Sequence, residues 1–414
     1  MNRTDFDIAI CGGGMVGATL TALLLREPSL RDLRIALIEA RFPTQAPGSE
    51  VDLRVSAISR ASQRILEHAG AWSSLNTAQR SPYSEMVVWD AANKSDDEQA
   101  LCFSASALGE PDLGHIVANN CLQWAALEAA HHENVTRFAT ELSGISVDDD
   151  AAQVKLVDGR RFSARLVIGA DGARSASREF VGVETRMRPY QQSAVVTHVR
   201  TQHSHRQTAW QRFLPNGPIA FLPLNDGRSS IVWTTTPEHA AELLQLGDAE
   251  LGEQIAVAFD HVLGEVSVAA PRAAFPLQLA QVDEYCRPRF VLVGDAAHSV
   301  HPLAGQGVNL GFMDAAALVQ VLSEARQAGA SKESLSELRV LRRYERWRKT
   351  ENTLALGLID GLNRMFSNQQ PGLSMLRRSG LRLVQQLPLA KRALMMRALG
   401  LAGERPAIVR NSLR

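Results

Sequence analysis

The sequence predicts an α/β protein made of a nucleotide-binding-type domain of parallel strands, an inserted and largely antiparallel β-sheet domain, and a helical C-terminal region. Three observations predict it. An apolar strand at the N-terminus runs into a glycine-rich turn and then a helix. Short strand-like runs punctuated by Pro and Gly fill the middle of the chain. From Arg339 on the pattern turns helical and basic, with 16 Lys+Arg against 4 Asp+Glu up to Arg414.

In chain order, residues 6–11 (FDIAIC) read as a buried strand, followed by Gly12-Gly13-Gly14-Met15-Val16-Gly17 and a helical run from Ala18 to Leu25. This is G-x-G-x-x-G in the strand-to-helix context that a Rossmann-like fold requires. Gly12 makes the tight turn, Gly14 lets a pyrophosphate approach the helix N-terminus, and Gly17 permits close helix–strand packing. A second strand from Arg34 to Ile38 ends in Glu39, 22 positions after Gly17 and close to the spacing at which a carboxylate takes ribose hydroxyls. The fingerprint alone does not separate FAD from NAD. It occurs once, however, and a different nucleotide-facing motif lies near Asp295, so one ligand spanning both, FAD, fits better than two.

Residues 52–60 (DLRVSAISR) place Arg54 before an alternating strand, with a short helix closed by Gly70 after it. Between Pro82 and Ser106 two strand-like pieces flank a polar stretch, the pattern of a hairpin in an inserted sheet. Residues 114–123 lead through Gln123 into a helix expected from Trp124 to Ala130. Asp158-Gly159 joins two strands, and the second runs into Gly169-Ala170-Asp171-Gly172-Ala173-Arg174-Ser175 and a short helix. Asp171 is expected to act through backbone or arginine partners, because a carboxylate does not bind a pyrophosphate unaided. Strands follow at 194–199, 209–213, 219–222 and 230–235, then an amphipathic helical stretch at 238–263 and an extended run at 271–279. Phe221, Trp233 and Phe275 are candidates for a substrate pocket, with core packing as the alternative role.

Residues 289–315 (RFVLVGDAAHSVHPLAGQGVNLGFMDA) carry the densest pattern. The apolar run 290–293 breaks at Gly294-Asp295, and Pro302, Gly305, Gln306 and Gly307 then precede a helix expected from Val308 to Leu322. Strand, acid, small-residue loop and helix N-terminus together present free backbone N–H groups to an electron-rich ligand edge. The segments 1–80, 107–182 and 276–335 therefore read as one discontinuous nucleotide-binding domain. Segments 81–106 and 183–275 read as the inserted sheet domain, and 336–414 as the helical region.

The stretch from Gly294 to Ala315 resembles the second FAD-binding motif of the flavin-dependent aromatic hydroxylases, most closely that of the ubiquinone-biosynthesis hydroxylases. The resemblance implies that Gly294-Asp295 serves the ribityl and pyrophosphate region, while Pro302 to Asn309, including Gly305, Gln306, Gly307 and Val308, lies along the isoalloxazine ring. It implies further that Arg54 lies beside the flavin nucleotide, Gln123 near the pyrophosphate, and Asp171 in the short Asp-Gly motif serving FAD and the nicotinamide donor. The implied fold is the aromatic-hydroxylase type. The implied activity is an FAD-dependent monooxygenase that hydroxylates the ring of a polyprenylated phenol, with NAD(P)H reducing the flavin and O2 adding to it as a C4a-hydroperoxide. The cofactor does that chemistry, so no particular side chain is singled out as catalytic. The alternatives are another aromatic substrate, or a catalytically idle flavoprotein that scaffolds a quinone-biosynthesis assembly.

Composition excludes other classes. The formal net charge is +0, so a general nucleic-acid partner is not expected. Four cysteines lie scattered without a C-x-x-C pair or metal-ligand clustering, which argues against a disulfide-type flavin reductase and for a reduced, cytoplasmic setting. The first 25 residues lack a signal-peptide pattern, and no run of 18 apolar residues occurs. Around Pro388, the segments at 373–387 and 391–401 interleave Leu and Met with Arg377, Arg378, Arg382, Lys391, Arg392 and Arg397. This amphipathic pattern suits peripheral contact with an anionic membrane, and equally a packed helix with a solvated basic face. A quinone-biosynthesis assembly and a homo-oligomer remain open as partners.

Overall fold

A computed structural model of the chain describes residues 4–91, 93–95, 100–299, 307–366 and 387–410. Among them, two large sheets and a small three-stranded sheet organise the fold. The first large sheet contains parallel strands in the spatial order Phe290–Leu292, Arg161–Gly169, Phe6–Cys11, Ile35–Glu39 and Val135–Ala139. Its central strand is buried along Ile8–Cys11, as expected of a sheet covered on both faces. The helix Met15–Arg26 packs on it together with Asn119–Ala129 and Gly307–Gln327. Three strand ends of this sheet, at Cys11, Gly169 and Leu292, open onto one crevice, the usual place for a ligand in an open α/β sheet.

The second large sheet is antiparallel except where Thr208–Leu214 pairs in parallel with Glu85–Asp90. Period-2 alternation decides what each face does. Val195, Ile219, Phe221, Ile231 and Trp233 pack under the helices Pro237–Gln245 and Asp248–Ala258, where the Phe221 ring stacks on Phe259 with centroids 3.9 Å apart. The intervening residues Ala194, Val196, Leu222, Ser230 and Val232 face the crevice. Phe221 and Trp233 are therefore core residues, and of the three aromatic candidates Phe275 alone reaches the cavity.

Several boundaries differ from expectation. The helix expected from Trp124 begins at Asn119, whose N–H donates to the Arg54 carbonyl at 2.9 Å. The strand expected at 194–199 extends from Thr185 to Thr201. The helical stretch at 238–263 is two helices, broken at Leu246-Gly247. Ser81–Tyr83 pairs with Gly114–Ala118 in the three-stranded sheet, and residues 276–282 continue the antiparallel sheet. Both segments thus pair on the other side of the boundaries read from sequence. The helix Leu338–Phe366 closes the C-terminal side, followed by Pro388–Ala398 and Ala407–Arg410.

Candidate functional site

A cavity of about 830 Å³ lies between the strand ends of the parallel sheet and the cavity-facing side of the antiparallel sheet. Gly12, Gly14, Met15, Val16, Glu39, Arg54, Asp171, Asp295, Gly307 and Val308 all border it. The glycine turn is shaped by close contact: Gly12 has φ +107°, and a Cβ there would stand 2.4 Å from the Ala170 carbonyl oxygen. Gly17 turns away from the cavity, and a Cβ on it would stand 1.9 Å from the Gly12 carbonyl oxygen, so its absence permits packing. At Gly14 a Cβ would meet nothing within 4 Å, which leaves the space over the helix N-terminus open. No side chain caps that terminus and its first turn carries no acid, so its N–H groups are free to meet an anion. This cradle fits a pyrophosphate.

Two side chains brace the turn. Glu39 accepts the Gly13 N–H at 2.8 Å, and Gln123 Nε2 donates to the Gly13 carbonyl at 3.0 Å. Gln123 therefore supports the loop from behind and does not border the cavity. Asp171 has the expected backbone partner, the Ser177 N–H at 2.8 Å, but its other partners are the Ser175 and Ser177 hydroxyls and not an arginine. The arginine of that segment, Arg178, donates instead to the carbonyls of Ala296 and Ala173 at 2.9 and 3.0 Å. It ties the Asp171 turn to the Asp295 turn.

Asp295 faces the cavity although protein mass surrounds it on the other sides. Burial pushes its carboxyl pKa up, against the opposing pull of His298 and Arg54. The preceding Gly294 has φ +61° and lies against Gly311, where a Cβ would stand 3.3 Å from the Gly294 Cα and 2.7 Å from Val16 Cγ2. The three motif segments thus meet without intervening side chains. Asn309 does not border the cavity. Its side chain accepts the Ser59 N–H at 3.0 Å and donates to the Ala57 carbonyl at 2.8 Å, pinning the long helix to the strand Val55–Ser59. Pro302, Gly305 and Gln306 lie outside the described residues. At the mouth, the Arg54 guanidinium sits 5.6 Å from the centroid of the Phe275 ring.

Sequence reasoning missed the network beneath Gly294. Asp314 accepts four hydrogen bonds: from the Gly294 N–H at 3.0 Å, His298 Nε2 at 2.6 Å, Arg348 Nε at 2.7 Å and Asn352 Nδ2 at 3.0 Å. Burial alone pushes its carboxyl up, but the His298 ring and the Arg348 guanidinium more than offset that and hold it well below the ordinary carboxylate range. The available signal was an acid at 314 within the apolar run of the helix Gly307–Gln327.

Fold and cradle together define a dinucleotide-binding oxidoreductase scaffold with a mostly apolar space beside the cradle. The family described as "FAD binding domain" matches residues 5–353. The chain is 37% identical over 406 residues to the 3-demethoxyubiquinol 3-hydroxylase of Escherichia coli (strain K12), covering 97% of this chain and 100% of that protein. It is 34% identical over 409 residues to the ubiquinone hydroxylase UbiL of Rhodospirillum rubrum, covering 98% and 92%. Among solved structures, p-nitrophenol 4-monooxygenase PnpA from Pseudomonas putida DLL-E4 shares the fold, with TM-score 0.75 at 19% identity over 98% of this chain and 100% of that one. This chain belongs to the FAD-dependent aromatic hydroxylases, within the family of ubiquinone-biosynthesis hydroxylases. It is an FAD-dependent monooxygenase of the NAD(P)H- and O2-using class.

Proposed function

We propose that this chain hydroxylates the aromatic ring of a polyprenylated phenol in ubiquinone biosynthesis. The observation that carries the reading is the juxtaposition, across one cavity, of the open Gly14 cradle with a sheet wall formed by Ala194, Val196, Leu222 and Val232. A phosphate-bearing cofactor suits the first, and an apolar ring the second. The bound flavin supplies the redox and oxygen-transfer chemistry. The protein's task is to bind, orient and exclude water.

In this reading the helix N-terminus at Gly14, Met15 and Val16 takes the pyrophosphate, and Glu39 uses its remaining lone pairs on the ribose. Arg54 offsets phosphate charge. Gly307 and Val308, with Pro302, Gly305 and Gln306, lie along the ring, while Gln123, Asp171, Gly17 and Asn309 hold the frame. Peripheral contact with the cytoplasmic membrane would suit a bilayer-dissolved substrate, and assembly with other quinone-biosynthesis proteins or with a second copy would serve the same end.

The test is purification followed by heat or acid release of noncovalent FAD, then oxygen consumption with NAD(P)H in the presence and absence of a short-chain 3-demethoxyubiquinol. Substrate-dependent oxygen uptake with hydroxylated product is expected. Absence of flavin, with failed reconstitution, overturns the assignment; flavin without substrate-dependent uptake favours a non-catalytic scaffold.

A further inference from the structure

We propose that Ser230, with His198 beside it, is a polar subsite that receives an oxygen substituent of the substrate's aromatic ring. The inference rests on the function proposed above. It starts from strand register: His198 and Ser230 are direct cross-strand partners, in line with the pairs Val196–Val232 and Ala194–Thr234. Side chains on a strand alternate, so His198 shares the face of Ala194 and Val196, and Ser230 shares that of Val232, all of which border the cavity except His198 just behind them. On the wall built by these central strands the bordering residues are Ala194, Val196, Leu222 and Val232, and then the single hydroxyl of Ser230.

Among the described residues, neither the Ser230 Oγ nor either ring nitrogen of His198 has a hydrogen-bond partner, and all three are buried. The two residues are 1% and 0% exposed, so a ligand oxygen meets the Ser230 Oγ by a turn of that hydroxyl about χ1 into the cavity it borders. Polar groups left in that state cost free energy unless something else bonds them. The Leu53 carbonyl, on the segment that leads to Arg54, lies near the His198 ring without hydrogen-bonding geometry. Burial, and after it the Arg228 guanidinium, hold the His198 pKa below its ordinary value, so near neutral pH the ring has one N–H donor and one acceptor nitrogen. The serine hydroxyl, with the neutral imidazole behind it, can both donate to and accept from a phenolic O–H. A hydrocarbon tail could use neither. The subsite therefore sets the orientation of the ring, with its oxygenated edge toward Ser230 and its apolar edge along Val196 and Val232.

The experiment compares 2-geranylphenol with its O-methyl ether as substrates of the wild type, Ser230→Ala and His198→Leu, using loaded protein. Flavin content and melting temperature are measured alongside. Ser230→Ala is expected to keep its FAD, to raise KM for the phenol about tenfold, the loss of one hydrogen bond, and to lower product formed per NAD(P)H oxidised. Its preference for the phenol over the ether should collapse. If His198→Leu loses FAD or stability, Ser230→Ala still decides the matter. Ser230→Ala protein that keeps FAD and the wild-type preference and coupling overturns the subsite, leaving a trapped water as the partner of these atoms. Failure of the wild type to hydroxylate either compound sinks the proposed function itself, a result distinguishable from the first.

Discussion

Arg348→Met removes the guanidinium from Asp314 while keeping much of the side chain's volume. Arg348 and Asp314 are 2% and 0% exposed, with Nε and Oδ1 2.7 Å apart. The substitution leaves a buried carboxylate with three of its four donors, from Gly294, His298 and Asn352, and without the guanidinium. Breaking such a buried pair from one side costs about 3–5 kcal/mol. The sign with pH follows from the depressed pKa of Asp314. In the wild type its contribution is fully present above the unfolded value of 3.8 and is lost as pH falls through the lower folded value. In the variant, burial still pushes the carboxyl up while one of the two opposing cations is gone, so the folded pKa rises. The deficit relative to wild type should therefore be largest near neutral pH and shrink as acid protonates the group. Urea unfolding followed by flavin release, at neutral pH and at about pH 4 to 5 where a raised carboxyl titrates, reads both effects. FAD affinity should fall too, because Asp314 holds the N–H of Gly294 next to the cavity-facing Asp295. A double Asp314→Asn, Arg348→Met variant should be destabilised by less than the sum of the singles. A loss under about 1 kcal/mol for Arg348→Met, or strict additivity in the double variant, would refute the reasoning.

Glu39→Ala should weaken FAD binding by on the order of 1.5–3 kcal/mol through lost charge-assisted hydrogen bonds; an unchanged flavin dissociation constant would remove Glu39 from the site. Gly307→Val places a side chain at the cavity border and should abolish flavin binding or turnover with native circular dichroism, as Gly305→Val should; native flavin content with native turnover would show that this position does not adjoin the ring. Glutamine at Arg377, Arg378, Arg382, Lys391 and Arg392 should reduce co-sedimentation with anionic vesicles at low salt and leave neutral vesicles unaffected. Equal binding by both proteins to anionic vesicles would end the membrane reading.

Much of the frame was legible because its signals are local. Apolar runs ending in glycine marked the parallel strands at Cys11, Gly169 and Leu292, and Asp158-Gly159 marked the hairpin between Ala152–Leu156 and Arg161–Gly169. The first half of Thr185–Thr201 was not legible. Residues 186–189 are exposed, so no alternation marks them as a strand, and the register shifts between Pro189 and Gln192, where Gln191 takes φ 54°. Asn119 and Asn120 lie ahead of the helix expected from Trp124, yet the helix starts on them, with the Asn119 N–H donated to the Arg54 carbonyl. Ser230 and His198 carried no local signal at all; their relation exists only in the register between two strands.

The C-terminal region shows why charge counts mislead where burial decides. Arg348 sits in the segment LRRYERWRKT, part of the stretch whose pattern is helical and basic. Tyr344, Arg348 and Asn352 nevertheless follow one another at i, i+4 and i+8, and all three are buried, with the Tyr344 hydroxyl donating to the Leu292 carbonyl at 2.9 Å. Other cations of the region face acids: Arg343 meets Glu324 at 2.5 Å, Arg339 meets Glu337 at 2.5 Å, and Arg397 meets Glu351 at 3.6 Å. The apolar face of Pro388–Ala398 is largely spent as well, since Met395 is buried in the core along with Leu399 and Leu401 just beyond it, while Leu387 and Leu389 are exposed. A bilayer contact by this region cannot then draw on its full positive excess or on two free apolar faces. It must rest on Lys391 and Arg392 beside Leu387 and Leu389, together with the basic stretch 377–382, which lies outside the described residues. This is why Arg397 is left unchanged in the vesicle experiment: replacing it would free Glu351 and confuse a packing defect with a loss of lipid attraction.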